Sequence, residues 1–142
     1  MIHTIGYAGH SPDSFAERLQ RLHIDTLIDV RYSPISRRRG FSKSALARKL
    51  EEHGIGYVHL KDLGAPKALR ELLAGMRDYA LFFSQYRHHA EKQEEALRTL
   101  WDYASTQNVA VMCLENDPDE CHRHVLAEII RRKWPQIAVS VG

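Results

Sequence analysis

The chain has few cysteines and no long apolar run. Only 2 of its 142 residues are cysteine, too few for the disulfide framework of a small secreted domain. No apolar stretch approaches the roughly 18–20 residues that a membrane-spanning helix needs. The first residues, Met1-Ile-His-Thr-Ile-Gly6, lack the basic region and apolar core of a signal peptide. We therefore expect a reduced, cytoplasmic protein with no membrane partner.

A large excess of charge of either sign is also absent. The formal net charge of +2 is too small to identify a nucleic-acid partner by itself. With 44% hydrophobic and 27% charged residues, the composition is that of a folded globular protein. The length fits one ordinary domain, so residues 1–142 are expected to form a single α/β domain. Local clusters of charge are then more informative than the total.

Short β-favouring segments alternate with amphipathic segments along the chain. Strands are predicted at 2–6, 25–30, 56–60, 109–113 and 137–141. Helices are predicted at 11–22, 42–53, 68–73, 79–104 and 121–133, the fourth as one long helix. This order predicts an α/β fold with a mainly parallel sheet of about five strands and flanking helices. Loops that follow parallel strands share the carboxyl edge of the sheet, where such folds bind ligands.

The loop after the second strand is the most basic of these loops. Between Asp29 and Lys43 it carries Arg31 and three adjacent arginines, with two aromatic residues, Tyr32 and Phe41, interleaved. Arginine holds phosphate through paired hydrogen bonds, and aromatic rings stack on bases. Adjacent arginines repel one another unless an anion or nearby acids compensate. The loop therefore predicts anion binding, and Tyr32 and Phe41 are candidates for stacking on a base. The candidate anion ligands are Arg31, Arg37 and Arg38 from this loop and Arg123 from the fourth loop.

Asp29 ends the second strand inside this expected cleft. Its carboxylate is a candidate base or metal ligand, or simply the ion-pair partner of Arg31, and the last interpretation is the simplest. His10 and His59 follow the first strand and end the third, so both are expected to line the same cleft.

The fourth loop has the most unusual composition. It reads Cys113-Leu-Glu-Asn-Asp-Pro-Asp-Glu-Cys121-His122-Arg123. Cys121 stands at or just before a helix N-terminus, where a thiolate is stabilised, whereas Cys113 closes a buried strand. The phosphatase pattern of cysteine, five residues and arginine is absent, and the cysteine spacing fits no structural zinc pair. No metal and no cofactor are predicted, and the candidate catalytic residues are Glu115, Cys121, His122 and Asp29.

Several of these segments are similar to one known family. The similarity is carried by Thr4-Ile-Gly6 with His10-Ser11, Asp29-Val-Arg31 with Pro34 and Ser36, Gly54-Ile-Gly-Tyr57-Val-His59-Leu, Leu63-Gly64, and Cys113-x-Glu115 with Pro118 and Cys121-His122-Arg123. Together they resemble the domain of unknown function 488 family. The resemblance implies a small α/β cytoplasmic protein of prokaryotes and supplies no substrate. It also implies that the cleft is formed by Asp29, Arg31, Tyr57, His59, Glu115, Cys121, His122 and Arg123.

Three functional hypotheses remain open. The first is an enzyme, such as a hydrolase, that acts on a phosphorylated or nucleic-acid substrate held by the arginines. The second is a nucleotide or nucleic-acid binding module without chemistry. The third is a thiol-dependent enzyme of sulfur transfer or redox chemistry that uses Cys121. The partner is an anionic small molecule or a nucleic acid, and the oligomeric state is left open.

Overall fold

The described residues form one parallel five-stranded sheet. The structure is a computed structural model that describes residues 1–34, 36, 38–76, 78–113 and 123–141. The strands are β1 (Ile2–Gly6), β2 (Thr26–Asp29), β3 (Gly56–His59), β4 (Val109–Cys113) and β5 (Val139–Val141). Their spatial order is β3-β2-β4-β1-β5, and every neighbouring pair is parallel. The predicted α/β class and parallel sheet are confirmed.

Six α-helices flank the sheet in the described part of the chain. They are α1 (Pro12–Arg21), α2 (Lys43–Glu52), α3 (Lys67–Met76), α4 (Tyr79–Glu91), α5 (Glu94–Thr106) and α6 (Arg123–Lys133), with a 3₁₀ turn at Lys61–Leu63. The side chain of Ser11 accepts a hydrogen bond from the backbone of Ser14, and Pro12 takes the first helical position of α1. The helix predicted at 68–73 is α3 in the structure, and it is longer than predicted.

The prediction of one helix over 79–104 is wrong, because the chain forms two helices there. α4 ends before Lys92, whose backbone N–H bonds back to carbonyls at the end of that helix, and α5 begins at Glu94. The five residues at 91–95 are all polar and have no apolar side chain to bury. The break lets both helices bury apolar residues in the same cluster, including Tyr86 from α4 and Leu100 from α5.

Two hydrophobic clusters lie on the two faces of the sheet. One packs α4, α5 and α6 against residues such as Ile28 and Val111, and the other packs α1 and α2 against residues such as Leu27 and Met112. Alternation along each strand sends neighbouring side chains to opposite faces. No helix in the described ranges has the length and apolar character to cross a membrane.

Candidate functional site

The parallel register brings the ends of the first four strands to a common carboxyl edge. Gly6 pairs with Cys113, and Asp29 pairs with both His59 and Met112. The loops after β1, β2 and β3 therefore start at one level of the sheet. Residues 30–42 between β2 and α2, described except for positions 35 and 37, are called the basic loop below.

Asp29 and Arg31 form a buried ion pair beneath the basic loop. Asp29 is 0% exposed and Arg31 8% exposed. Arg31 Nε lies 2.9 Å from Asp29 Oδ1 and Nη2 lies 2.7 Å from Oδ2, while the Arg31 backbone N–H also donates to Oδ1 at 3.0 Å. Burial of the guanidinium lowers the pKa of Arg31, but the hydrogen bonds and charge of Asp29 outweigh it and raise that pKa. The predicted pairing of Asp29 with Arg31 is confirmed.

Tyr57 completes the set of donors around Asp29. Its hydroxyl donates to Asp29 Oδ2 at 2.5 Å from the neighbouring strand β3. Burial, together with the hydrogen bond to Asp29 and its charge, raises the pKa of the Tyr57 hydroxyl, which keeps it protonated as a donor. Because both carboxylate oxygens are already occupied by these donors, the geometry gives Asp29 a positioning role rather than that of a base or metal ligand.

Arg31 uses its remaining donors on the far end of the basic loop. Nη1 lies 2.7 Å from the carbonyl oxygen of Phe41 and 3.4 Å from the hydroxyl of Tyr7. The guanidinium also lies 5.4 Å from the centroid of the Tyr7 ring. Arg31 therefore ties the basic loop to the loop after β1. This buried position supports an anchoring role for Arg31, not direct contact with an anion.

His59 links the basic loop to the loop after β3. Its Nε2 lies 2.7 Å from the backbone oxygen of Arg31, and the backbone N–H of Leu60 donates to the backbone oxygen of Asp29 at 2.9 Å. The structure thus brings His59 and Tyr57 together with Asp29, as the family resemblance implied.

Phe41 does not offer a stacking surface, so that expectation is wrong. Its side chain is 1% exposed and stacks on the ring of Tyr7, with centroids 4.5 Å apart and an interplanar angle of 17°. Phe15 meets it edge-on at 5.8 Å. Burying an apolar ring in this aromatic cluster removes it from water. Sequence reasoning missed Tyr7, whose only signal was an aromatic residue between two glycines of the first loop.

Arg38 and Arg39 remain exposed on the outside of the basic loop. Arg38 Nη2 donates to the backbone oxygen of His10 at 2.8 Å, and the Arg38 backbone N–H donates to Ser36 Oγ at 3.1 Å. Among the described residues, neither arginine has a carboxylate within 4.0 Å. Arg38 is therefore held in place by hydrogen bonds, and no acid in the described ranges pairs with its charge.

His10 lies in the positive field of these arginines. Its Nδ1 is 3.1 Å from Ser14 Oγ. Partial burial and then the positive charges of Arg18, Arg21 and Arg38 lower the pKa of His10 below 6.5. The imidazole is therefore neutral at pH 7 in a region of positive potential.

Several predicted residues lie outside the described part of the chain. These are Arg37, Glu115, Cys121 and His122, and of Arg123 only the backbone at the start of α6 is described. The expected proximity of Arg31, Glu115 and Arg123 and the reactivity of Cys121 therefore stay predictions. Across the described ranges, no cluster of three or more His, Cys, Asp or Glu residues is arranged to hold a metal ion.

Comparison with known proteins gives one match. A family model described as "Domain of unknown function DUF488" matches residues 11–130. No curated protein and no solved structure matched the chain.

Proposed function

The chain belongs to the domain of unknown function DUF488 family, and we propose that it binds a phosphate-bearing ligand at the carboxyl edge of its sheet. The ligand class is an inorganic phosphate, a nucleotide or a nucleic acid. The matched residues 11–130 include β2, β3 and β4 and the loops that follow them. This edge is also where open parallel sheets bind ligands.

The observation that carries the proposal is the exposed position of Arg38 beside Arg39, where no carboxylate of the described residues lies within 4.0 Å of either guanidinium. A guanidinium at such a position has planar donors directed to solvent, and phosphate oxygens accept them in pairs. The hydrogen bonds of Arg38 to His10 and Ser36 fix the loop backbone, which reduces the entropy lost when a ligand binds.

The lowered pKa of His10 agrees with this position: burial is its largest cause, and the positive charges of Arg18, Arg21 and Arg38 add to it. Three arginines contribute to that shift, and their summed field attracts an anion before any direct contact forms. The negative charge of a bound phosphate would partly cancel this positive potential and raise the pKa of His10.

Calorimetric titration with inorganic pyrophosphate tests the proposal. The double substitution Arg38→Gln/Arg39→Gln should weaken binding by roughly 10- to 100-fold, since a charge-assisted hydrogen bond contributes about 1.5–3 kcal/mol. The matched control is Arg98→Gln/Arg132→Gln, which removes two exposed charges from α5 and α6. An equal loss of pyrophosphate affinity in both double variants would show that the effect comes from the net charge of the protein and not from a site at Arg38 and Arg39. The absence of binding by the wild type would refute the proposal.

Hydrolysis of the bound phosphoester is the second candidate function, and His10 is the residue that favours it. Ser14 Oγ also lies 3.2 Å from the backbone oxygen of Ser11; in the tautomer in which the Ser14 hydroxyl donates to that oxygen, His10 Nδ1–H donates to Ser14 and Nε2 keeps its lone pair. A neutral imidazole with a free Nε2 can accept a proton from an attacking water.

A phosphodiester probe, bis(p-nitrophenyl) phosphate, tests this second function. The value of kcat/KM should rise with pH through a pKa below 6.5 and then level off, because kcat/KM reports the free protein and His10 must be unprotonated there to act as the base. His10→Gln should lose about 10²- to 10⁴-fold of that value. A chain that binds pyrophosphate but shows no rate above background would be a binding module.

A further inference from the structure

Tyr32, in the basic loop, has two exposed cations close to its ring. Lys61 Nζ is 4.6 Å from the centroid of the Tyr32 ring, and Arg70 Cζ is 5.9 Å from it. In the portion of the chain that the structure describes, no carboxylate lies within 4.0 Å of either cation. Tyr32, Lys61 and Arg70, called the Tyr32 patch, therefore combine a partly exposed ring with two charges that no acid of the described residues pairs with.

Close backbone packing fixes the position of this patch. A Cβ atom at Gly64 would lie 2.4 Å from the backbone nitrogen of Tyr32 and 2.5 Å from the backbone oxygen of Val30. The φ of Gly64 is −82°, which any residue adopts, so glycine is needed here for close approach and not for its conformation. The loop that carries Lys61 is thus pressed against the backbone of Tyr32. This packing fixes the backbone positions of the two loops that carry Tyr32 and Lys61.

Within the basic loop, Tyr32 and Arg38 contact different neighbouring loops. Lys61 follows β3, whereas Arg38 is bonded to His10, which follows β1. In the order β3-β2-β4-β1, these strands are three spacings apart, roughly 14 Å at about 4.8 Å per spacing. One phosphate group is too small to contact both clusters, whereas a chain of linked phosphates can.

We propose that the Tyr32 patch is a second contact on the same ligand, and that this ligand is a single-stranded nucleic acid. The inference rests on the proposed phosphate site at Arg38. Stacking on an aromatic side chain requires an unpaired base, and flanking cations take the backbone phosphates. Exposed cation–π contacts are weak, so Lys61 and Arg70 can move from the ring to phosphate oxygens and leave a ring face for the base.

Fluorescence anisotropy with a labelled oligothymidylate of about ten nucleotides tests the inference, with thymidine monophosphate as the mononucleotide competitor. The wild type should bind the oligonucleotide at least about tenfold more tightly than the mononucleotide, because only the longer ligand reaches both clusters. Tyr32→Leu should weaken oligonucleotide binding about 5- to 100-fold, whereas Tyr32→Phe keeps the stacking surface and should bind like the wild type.

The cations are tested with Lys61→Gln/Arg70→Gln against the control Arg98→Gln/Arg132→Gln. The first pair should reduce the slope of log affinity against log salt by about 1.4, since each phosphate contact on a single strand contributes about 0.7. The control pair should leave the slope unchanged. Far-ultraviolet circular dichroism confirms that each variant is folded.

Two results separate failure of this inference from failure of the phosphate site. If pyrophosphate binding depends on Arg38 and Arg39 but the oligonucleotide binds no more tightly than the mononucleotide, the Tyr32 patch is not a nucleic-acid contact. If neither pyrophosphate nor oligonucleotide binds, both proposals are refuted. Polyglutamate binding that is lost in Lys61→Gln/Arg70→Gln but unaffected by Tyr32→Leu would assign the two cations to an acidic peptide and overturn the nucleic-acid assignment.

Discussion

Asp29 and Arg31 form a buried ion pair that holds the basic loop in position. The pair is buried, and its outer donor holds the carbonyl of Phe41, so the loop that displays Arg38 rests on a charged anchor. Buried ion pairs of this kind often contribute little net stability, yet removing one partner leaves an uncompensated charge in the interior. We infer that the pair sets the position of the loop more than it adds to the stability of the fold.

Asp29→Asn should therefore be strongly destabilising. We expect the free energy of unfolding to fall by about 3–5 kcal/mol, because the Arg31 guanidinium would stay buried without its counter-charge. Asp102→Asn is the matched control, since Asp102 is exposed and should change stability by less than about 0.5 kcal/mol. Urea unfolding of the three proteins measures the difference. A loss for Asp29→Asn no larger than for the control would show that the pair is not a buried anchor.

At the level of secondary-structure elements, the loops after β2 and β3 pack directly against each other. Gly64 lets them pack backbone against backbone, and His59 hydrogen-bonds across the same junction. This junction carries the Tyr32 patch on its outer side. The rigidity of the patch therefore depends on a glycine that does not itself face a ligand.

Gly64→Ala should disturb this junction. The added methyl group would meet backbone atoms at 2.4 Å that cannot move independently, and we expect a loss of roughly 1–3 kcal/mol of stability. Gly75→Ala is the control, because nothing lies within 4 Å of a Cβ there and alanine is the better helix former. That change should raise stability by about 0.5–1 kcal/mol. Thermal unfolding that moved the same way in both variants would contradict the close approach at Gly64.

Sequence patterns predicted the elements better than the site. Apolar runs located the strands, of which the central ones such as β2 are buried, but the helix break at Lys92 depends on packing that periodicity does not record. Asp29 and Arg31 are two residues apart, so their pairing follows from strand geometry alone. Tyr57 comes from another strand, and only register places it beside Asp29. Phe41 was misjudged because an aromatic residue in a loop carries no sign of whether it is buried.

The net charge of +2 hides an uneven arrangement over the whole molecule. Arg38 and Arg39 stand in the loop after β2, where Arg38 bonds to His10, and Lys61 and Arg70 stand beside Tyr32; within the described residues these four cations have no acid partner. Exposed helical cations such as Arg98 and Arg132 also have no described carboxylate within 4.0 Å, so ion pairing alone does not single out the edge. We locate ligand binding at the edge because Arg38, Arg39 and Lys61 follow parallel strands, where open sheets bind ligands.

The central claim, that an anion binds beside Arg38, is tested most directly by the pKa of His10. Nuclear magnetic resonance titration of the His10 ring, assigned with His10→Gln, should give a pKa below 6.5 in the free protein. Saturating pyrophosphate should raise that pKa, because a nearby negative charge stabilises the imidazolium. By linkage, pyrophosphate affinity should then increase as the pH falls through this pKa. A His10 pKa that does not move at saturating pyrophosphate would contradict an anion site at this edge.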